Sequence, residues 1–466
     1  MIGHKFQSDE QLRNNIVRNC LRIYLLLAVA CYFAGRKVEM KKEVCYTKTN
    51  KKRRVTGETG MKYADPYTPG AGFMPGHIAG RKETLERAEK YLNTIVLGYP
   101  QQSVIYYGLR GVGKTVLLNA IECKTDDMPI LMGHIEIAEK RNFTQQITNY
   151  SKKFIHKMSF KETAKDFVSR VQDLLKAFTV TYNPEDQSFK VGMEEREYIV
   201  TGDLSEDLTD LFVAMGKMAD KTGYAICFFV DEIQYMKEEE IAALVNAIHR
   251  CNQLRLPLMI FGAGLPKILK TLGKVKSYSE RLFRFEEIDA LSGQDAKDAI
   301  VKPAEPLGGS YTEEALRWII SETQGYPYFI QELCSAIWEH LNPEQTVIGI
   351  DDVKGAVLKF YENLDRGFYR LRYDRCTPKE KMFIFAMAKC EKLPCSISNV
   401  AKIMETEVSS ISPYRAQLIN KSMIYATGYA EIDFTVPGFD QFLKRLNPEL
   451  QLDEVEKVQK GDAGDE

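Results

Sequence analysis

Between residues 82 and 290, short apolar runs of strand length alternate with longer stretches of helical periodicity. Runs rich in β-branched and aromatic residues predict strands at 103–107, 130–137, 225–231 and 256–261, with a last strand near Phe285. Apolar positions three or four residues apart predict helices at 82–97, 142–178, 207–221 and 237–251. The polar stretch 180–203 predicts a loop or a hairpin. Strands that alternate with helices at roughly 30-residue periods are typical of a doubly wound parallel sheet.

A different pattern begins at Ser292 and continues to about Asn363. Helical periodicity fills this segment without an intervening strand pattern. The sequence Gly-Tyr-Pro at 325–327 predicts a break between two helices, because proline disrupts a helix that would continue through it. The segment therefore predicts a small helical lid.

The pattern changes again at Thr377, where Thr-Pro-Lys-Glu predicts a helix with proline in its first turn. After it, a short helix, a turn, a longer helix and a β-hairpin are predicted at 398–404, 405–410, 411–422 and 423–436. This is the order of a winged helix-turn-helix. The predicted organisation is an α/β domain at 61–290, a helical lid at 291–370 and a winged-helix domain at 371–448.

Residues 1–60 differ in composition from the rest of the chain. The apolar, uncharged run Ile23–Gly35 is shorter than the roughly 20 residues that a membrane-spanning helix needs. A basic run follows it at 41–54. We favour a disordered leader, or a start assigned too early with Met61 as the natural start, over a membrane anchor. The acidic tail 449–466 is also expected to be disordered.

Composition narrows the functional classes. At 466 residues the chain is too long for one ordinary core, and its 44% hydrophobic and 27% charged residues are typical of soluble globular proteins. A net charge of −1 means that any affinity for nucleic acid must be local. The ten cysteines form no Cys-x-x-Cys pair, which argues against a zinc site or a disulfide framework and favours a reduced, cytoplasmic protein.

The strongest chemical signal is a phosphate loop between a predicted strand and a predicted helix. Its residues are Gly108, Leu109, Arg110, Gly111, Val112, Gly113, Lys114 and Thr115, which match glycine, four residues, then Gly-Lys-Thr. Such a loop surrounds phosphate with backbone N–H groups at the positive end of a helix. We expect Lys114 to reach the β- and γ-phosphates and Thr115 to bind Mg²⁺. The alternative, a chance glycine-rich turn, does not account for the flanking strand and helix.

A second signal is the acidic pair Asp231-Glu232 at the end of a continuous apolar run. A strand buried on both faces has this pattern, and α/β sheets bind ligands at the carboxyl ends of such strands. We expect Asp231 to join the Mg²⁺ shell and Glu232 to polarise the attacking water. The alternative is that one of these acids caps the next helix.

From about Tyr67 to Leu446 the chain resembles the prokaryotic AAA-family ATP-binding proteins related to origin-recognition and STAND-type NTPases. Besides the two motifs above, the resemblance rests on five segments: 79–81 (Ala-Gly-Arg), 262–266 (Gly-Ala-Gly-Leu-Pro), 276–283, 325–329 (Gly-Tyr-Pro-Tyr-Phe) and 434–439. It implies a P-loop NTPase (AAA+-like) parallel sheet with a helical lid and a C-terminal winged helix-turn-helix domain, and ATP and Mg²⁺ as ligands.

The resemblance also implies further site residues. It adds Gly80, Arg81, Tyr326 and Pro327 to the nucleotide site. It also implies that Arg281, just before the last strand, completes the site of a neighbour in a homo-oligomer. The alternative for Arg281 is a structural salt bridge with a nearby acid.

Two departures from the family pattern favour a slow switch over a fast ATPase. The predicted fourth strand ends in Gly262-Ala263-Gly264, where related proteins place a polar side chain that orients water. The lid has Gly-Tyr-Pro at 325–327, where many related proteins place an arginine that senses the nucleotide.

Three functions fit these observations. The first is an ATP-driven switch, and the second is binding of duplex DNA through residues 398–436. The third is an interaction scaffold in which ATP is structural. The predicted recognition helix offers Ser409, Ser410, Ser412, Tyr414, Arg415, Gln417 and Lys421 to DNA. A GTPase is disfavoured because no guanine-reading Asn-Lys-x-Asp follows the acidic pair, and a small-molecule kinase because that pair suits water activation.

Overall fold

The computed structural model describes residues 64–138, 142–161, 165–184, 201–275, 279–342 and 344–447. All of them belong to one structural unit, Thr56–Glu466. The predicted leader, the acidic tail and most of the predicted loop at 180–203 lie outside the described residues.

Five parallel strands form the central sheet, and they are β1 (Ser103–Tyr107), β2 (Ile130–Glu136), β3 (Ala225–Asp231), β4 (Leu258–Gly264) and β5 (Phe283–Glu287). Their order is β2-β3-β4-β1-β5. The carboxyl ends of β1, β3 and β4 are therefore adjacent at one edge of the sheet, which is where open α/β sheets bind ligands.

Helices cover both faces of the sheet. They are α1 (Lys82–Val96), α2 (Lys114–Glu122), α3 (Phe143–Ser159), α4 (Lys165–Tyr182), α5 (Leu204–Thr222), α6 (Glu238–Gln253), α7 (Lys267–Val275) and α8 (Ser279–Leu282). Successive strand residues point to opposite faces, so Phe228 packs against one set of helices and Phe229 against the other. Burial on both faces explains why every residue of β3 and β4 is buried.

The lid contains α9 (Gly293–Ala304), α10 (Glu313–Thr323), α11 (Pro327–His340) and α12 (Ile350–Asn363). The predicted break lies between α10 and α11, where Gln324 and Gly325 both have positive φ and Pro327 begins the next helix. The sequence reading missed a short parallel pair, β6 (Ser310–Tyr311) with β7 (Val347–Ile348).

The C-terminal part has the predicted winged-helix order: α14 (Pro378–Ala388), α15 (Ile397–Ile403), α16 (Val408–Asn420), then the hairpin β9 (Ile424–Gly428) and β10 (Glu431–Phe434). It is preceded by a π-helical turn, Leu364–Tyr369, and a short helix, α13 (Arg370–Tyr373). A third strand, β8 (Cys395–Ser396), and a last helix, α17 (Phe439–Leu446), were not predicted.

Two predicted boundaries are corrected. The segment predicted as helical from 142 to 178 contains two helices, α3 and α4, because helical periodicity persists across a short interruption. The fourth strand, predicted to begin at Leu256 and to end in Gly262-Ala263-Gly264, begins at Leu258 and ends at Gly264, where it still pairs with β1.

One hydrophobic cluster joins the lid to the winged-helix domain. Tyr369 lies at this junction, with its ring stacked on Phe442 at a centroid distance of 5.2 Å and 5.8 Å from Phe439. No helix in the described ranges is long and apolar enough to cross a membrane. The architecture is that of an AAA+-like P-loop NTPase with a helical lid and a C-terminal winged helix-turn-helix domain.

Candidate nucleotide-binding site

The phosphate loop connects the carboxyl end of β1 to the first turn of α2, as the sequence predicts. Gly111 and Gly113 have φ angles of 85° and 87°, in the left-handed region that disfavours a Cβ atom. A Cβ atom at Gly108 would lie 2.0 Å from the carbonyl oxygen of Ile288, so only glycine fits there. A loop of this conformation at the amino end of a helix is suited to surround an anion with backbone N–H groups.

Lys114 is the first residue of α2, and its ammonium group turns back into the loop. Its Nζ donates to the carbonyl oxygens of Gly108 at 3.0 Å and Leu109 at 2.7 Å. Burial lowers the pKa of Lys114 to about 8, while the carboxylate of Glu232 opposes this shift and Arg110 adds to it. A desolvated ammonium group is stabilised by an anion placed beside it.

Thr115 faces the end of β3. Its Oγ1 donates to Asp231 Oδ2 at 2.6 Å, and Asp231 is only 4% exposed. Burial raises the pKa of Asp231, and the hydrogen bond from Thr115 opposes that rise. A hydroxyl and a carboxylate fit Mg²⁺, which takes one or two carboxylates from a protein and the rest of its shell from phosphate and water. Within the described residues, no group of three or more His, Cys, Asp or Glu side chains could hold a metal alone.

Glu232 begins the 3₁₀ turn Ile233–Tyr235 in a left-handed conformation, with φ 54° and ψ 35°. Its amide donates to Asp231 Oδ1 at 2.8 Å. Its carboxylate accepts a hydrogen bond from Gln234 Nε2 and lies 3.7 Å from Arg110 Nη1. These contacts hold the Glu232 carboxylate on the wall of the cavity described below.

The capping alternative for the acidic pair is wrong. The residue that caps α6 is Lys237, whose amide donates to Glu240 Oε2 at 2.9 Å. Glu232 makes no side-chain cap to the turn that it begins. Both acids therefore direct their side chains to the site and not to a helix end.

Gln234 connects Glu232 to the end of β4. Its Oε1 accepts a hydrogen bond from the backbone N–H of Leu265 at 3.0 Å, while its amide nitrogen donates to Glu232. A Cβ atom at Gly264 would lie 2.8 Å from this Oε1, so a larger residue there would displace Gln234. The amide of Gln234 thus occupies the place next to β4 where the sequence lacks a polar side chain.

Arg110 connects the phosphate loop to the winged-helix domain. Its backbone N–H donates to the carbonyl oxygen of Thr435, just after β10, at 3.1 Å. Its Nη2 donates to the hydroxyl of Tyr235 at 2.6 Å. Its Nε is buried and has no hydrogen-bond partner among the described residues. A buried donor without a partner is uncommon and is consistent with a site that an anionic ligand completes.

The lid and the segment before α1 also reach the loop. The backbone N–H of Tyr328, at the start of α11, donates to the carbonyl oxygen of Gly111 at 3.1 Å. Arg81 Nη2 donates to the carbonyl oxygen of Val112 at 3.2 Å. Burial lowers the pKa of Arg81, and Asp295 opposes that shift. Lid, loop and N-terminal segment therefore meet at one place.

These elements surround a cavity of about 560 Å³, a size typical of small-ligand sites. Its described lining contains one carboxylate, Glu232, and six arginine and lysine side chains: Arg81, Arg110, Lys114, Arg372, Arg375 and Lys421. Apolar side chains form another part of the lining: Phe73, Pro75, Ile78, Ala79 and Leu291. The surplus of positive charge favours a ligand with several negative charges, and the apolar part favours a ring system.

Most predicted site residues line this cavity, namely 110–115, Arg81, Glu232 and Pro327. Gly108, Leu109 and Asp231 lie outside the lining but contact Lys114 or Thr115 directly.

Three predicted residues lie elsewhere. Gly80 packs against the start of the lid, where a Cβ atom would lie 2.7 Å from Leu291 Cδ2. Tyr326 precedes α11, and its ring lies 5.8 Å from that of Phe329. Arg281 is exposed on α8 and does not line the cavity. It forms no ion pair with a described residue, so the salt-bridge alternative is not observed there.

Several residues that contribute to the site were not predicted from the sequence. Gln234 and Tyr235 lie two and three residues after Glu232, and their polar side chains near a strand end were the available signal. Arg372, Lys421 and Thr435 are far from both motifs in sequence, and no local pattern marks them. Their contribution depends on how the winged-helix domain packs on the sheet.

Residues 366–443 match the model of DUF8462, a domain of unknown function. No match to a curated protein was found.

Solved structures similar to this chain include the Walker-type ATPase paby2304 of Pyrococcus abyssi, with 12% identity, 79% of this chain and 96% of that chain covered, and a TM-score of 0.49. They also include the Orc1 protein of Aeropyrum pernix in complex with DNA, with 13% identity, 80% and 94% covered, and a TM-score of 0.41. Cdc6p from Pyrobaculum aerophilum has 14% identity, 82% and 97% covered, and a TM-score of 0.42. The fold assignment therefore depends on the strand order and the phosphate loop.

Proposed function

We propose that the protein binds ATP with Mg²⁺ in this cavity and hydrolyses it slowly, as a nucleotide-controlled switch. The observation that supports this most is the meeting of two chain segments at the carboxyl edge of the sheet. Lys114 and Thr115 come from one segment, and Asp231 and Glu232 from the other, beside a cavity with surplus positive charge. This is the residue set that phosphoryl-transfer sites of the P-loop type need.

Each residue has a distinct role in the proposal. The loop and Lys114 bind the β- and γ-phosphates, and Thr115 and Asp231 hold Mg²⁺. When bound, Mg²⁺ neutralises charge on the phosphate oxygens. Glu232 orients a water molecule and accepts its proton, and Gln234 holds the Glu232 carboxylate in place.

We expect slow turnover because the end of β4 carries no polar side chain that could orient water. A Cβ atom at Gly262 would lie 2.6 Å from Ile105 Cδ1, so a larger residue there would have to displace the end of the Ile105 side chain. Water orientation then depends on Glu232 and on the single amide of Gln234. Fewer fixed donors at the reacting atoms mean less transition-state stabilisation.

Two substitutions test this function. Lys114→Ala is expected to abolish ATP binding, because it removes the ammonium group of the loop. Glu232→Gln is expected to keep ATP binding and to reduce turnover by about 100-fold or more, within the range for loss of a general base. Binding is measured by isothermal titration calorimetry and turnover by phosphate release. Glu239→Gln, on an exposed part of α6, is the matched control and should behave as the wild type.

The possible outcomes separate the functions. Unchanged hydrolysis by Glu232→Gln contradicts its role, and unchanged ATP binding by Lys114→Ala contradicts the site. ATP binding by the wild type without turnover above that of Lys114→Ala favours the scaffold function over the switch.

Duplex DNA is a second candidate ligand, because residues 398–436 form the helices and hairpin of a winged helix. Exposed polar side chains on α16 are Ser409, Ser410, Ser412 and Gln417. Lys421, which the sequence also offered to DNA, pairs with Glu380 and lines the nucleotide cavity. Arg415 is the one basic residue of α16, so few phosphate contacts are available there and binding should be weak. Anisotropy of labelled duplex at two salt concentrations tests it, and no binding at low salt rules it out.

We also propose that Arg281 acts on the nucleotide site of a neighbouring subunit in a homo-oligomer. Its exposure and lack of a described ion-pair partner fit an arginine that acts on a neighbouring subunit. Mass measurement with bound nucleotide tests assembly. Arg281→Ala should then reduce turnover without reducing ATP binding, and a monomer under all conditions excludes this role.

A further inference from the structure

Two arginines from the junction between lid and winged-helix domain line the nucleotide cavity. Arg372 lies in α13 and Arg375 just after it, and both share the cavity lining with Lys114 and Glu232. Neither forms an ion pair with a described carboxylate, although Arg370 of the same helix pairs with Asp374 at 3.1 Å. The two arginines therefore bring positive charge to the cavity without a direct ion pair to a described carboxylate.

Arg372 is partly buried beside the ring of Phe368. Its guanidinium lies 4.4 Å from the centre of the Phe368 ring and donates to the Phe368 carbonyl oxygen. Burial, together with smaller contributions from the like charges of Arg110 and Arg375, lowers the pKa of Arg372 to about 10. Like charges held together with little solvent destabilise one another, and an anion between them would remove that repulsion.

The contacts of Arg110 indicate which part of the ligand Arg372 would meet. Arg110 lies 3.7 Å from Glu232, the residue proposed to orient the attacking water. That water attacks the terminal phosphate, so Arg110 is at the terminal end of the phosphate chain. Arg372 lines the same cavity as Arg110 and Glu232, so its guanidinium is available to a phosphate bound beside them.

We propose that Arg372, supported by Arg375, binds the terminal phosphate of ATP within the same chain. This inference rests on the proposed function, since it needs ATP to bind at the phosphate loop. It assigns the phosphate-sensing role to the junction before the winged-helix domain and not to the lid helices, where the sequence has Gly-Tyr-Pro at 325–327. It is also distinct from Arg281, which is proposed to act between subunits.

The junction is tied to the winged-helix domain. Lys421, at the end of α16, donates to the carbonyl oxygen of Arg375 at 3.0 Å and to Glu380 Oε2 at 2.6 Å. A phosphate bound by Arg372 and Arg375 would therefore contact a segment that is hydrogen-bonded through Arg375 to Lys421, at the end of α16. ATP and ADP would differ in this contact, because only ATP has the terminal phosphate.

The test compares ATP and ADP affinity with Mg²⁺ present, in the Glu232→Gln background so that ATP is not consumed. Arg372→Met keeps the packing on Phe368 and removes the charge. We expect it to weaken ATP binding about 10- to 100-fold, as loss of a charge-assisted hydrogen bond does, and to change ADP binding less than about twofold. Arg366→Met, on an exposed neighbouring turn, is the matched control and should change neither affinity.

Further variants keep the inference testable if Arg372→Met does not fold. Arg375 is exposed, so Arg375→Gln should fold and still weaken ATP binding relative to ADP binding. Arg372→Lys should restore part of the ATP preference, since it keeps the charge. Equal loss of ATP and ADP affinity, or no loss of either in Arg372→Met and Arg375→Gln, overturns the inference and leaves the proposed function intact. Failure of the parent protein to bind either nucleotide overturns the function itself.

Discussion

Glu232 has a left-handed backbone conformation that disfavours any residue with a Cβ atom, by about 1–2 kcal/mol. Two contacts maintain it, the bond from its amide to Asp231 and the bond from Gln234 to its carboxylate. Strain of this kind is found at functional sites, where the surrounding structure holds a side chain in a required position. Here that position is beside Arg110, on the cavity wall.

The strain at Glu232 makes a stability prediction. Glu232→Gly should be more stable than Glu232→Ala by about 1 kcal/mol, because glycine adopts the left-handed conformation freely and alanine does not. Both variants lack the carboxylate, so the difference between their free energies of unfolding measures the cost of the left-handed backbone conformation. The measurement is the free energy of unfolding in urea, with both variants losing turnover. An alanine variant as stable as the glycine variant would show that the conformation is not retained in solution.

The sequence predicted the residues whose roles follow from local pattern. Lys114, Thr115, Asp231 and Glu232 come from two motifs with fixed spacing, and the sheet brings the motifs together at its carboxyl edge. The role of Arg372 could not be predicted in this way. It depends on the docking of a segment about 260 residues away from the phosphate loop, and such docking leaves no local periodicity.

Among the elements, α16 carries most of the polar side chains that the sequence offered to DNA, and four of them are exposed. Its polar side chains suggested a DNA-reading helix, yet its last turn leads into Lys421, which faces Glu380 and the nucleotide cavity. Glu380 is the third residue of α14 and completes a capping box with Thr377. A sequence pattern shows which side chains are polar, but the packing of neighbouring helices decides which of them face solvent.

The Glu380–Lys421 pair predicts a pH dependence of stability. Burial opposes the charge on Glu380, but hydrogen bonds from Lys421 and Thr377 outweigh it and lower the pKa of Glu380. A carboxyl group with a lowered folded-state pKa stabilises the fold fully above its unfolded pKa, about 4.3. That contribution is lost as the pH falls through the folded-state value. The stability advantage of the wild type over Glu380→Gln should therefore be about 1–3 kcal/mol at pH 7 and shrink below pH ~4.

The measurement is urea unfolding of both proteins at a series of pH values. Glu391→Gln, an exposed glutamate of the same domain, is the control and should show little difference from the wild type at any pH. An advantage over Glu380→Gln that stays constant down to pH ~3 would contradict the proposed origin, since the pair would then not depend on the charge of Glu380.

For the whole molecule, the important feature is the shared core of lid and winged-helix domain. The sequence predicted a boundary between 370 and 371, shortly before the change of composition at Thr377, but ring contacts continue across it. Phe360 in the lid lies 6.4 Å from Phe329, which lies 6.5 Å from Tyr369, and Tyr369 lies 5.8 Å from Phe439 in the winged-helix domain. Any nucleotide-driven motion should therefore move lid and winged-helix domain together relative to the sheet.

This shared core makes a prediction about cooperativity. Phe360→Ala and Phe439→Ala each remove a nearly fully buried ring, at a cost of about 3–5 kcal/mol. If lid and winged-helix domain unfold as one unit, both substitutions should lower the same transition in differential scanning calorimetry. Hydrogen exchange should then increase in α12 and α17 alike, whichever residue is changed. Phe261→Ala, in the sheet, is the control and should act first on the sheet. If Phe439→Ala destabilised α17 while leaving α12 protected, the two domains would be independent, and a contact at the phosphate loop could then move the winged helix without the lid.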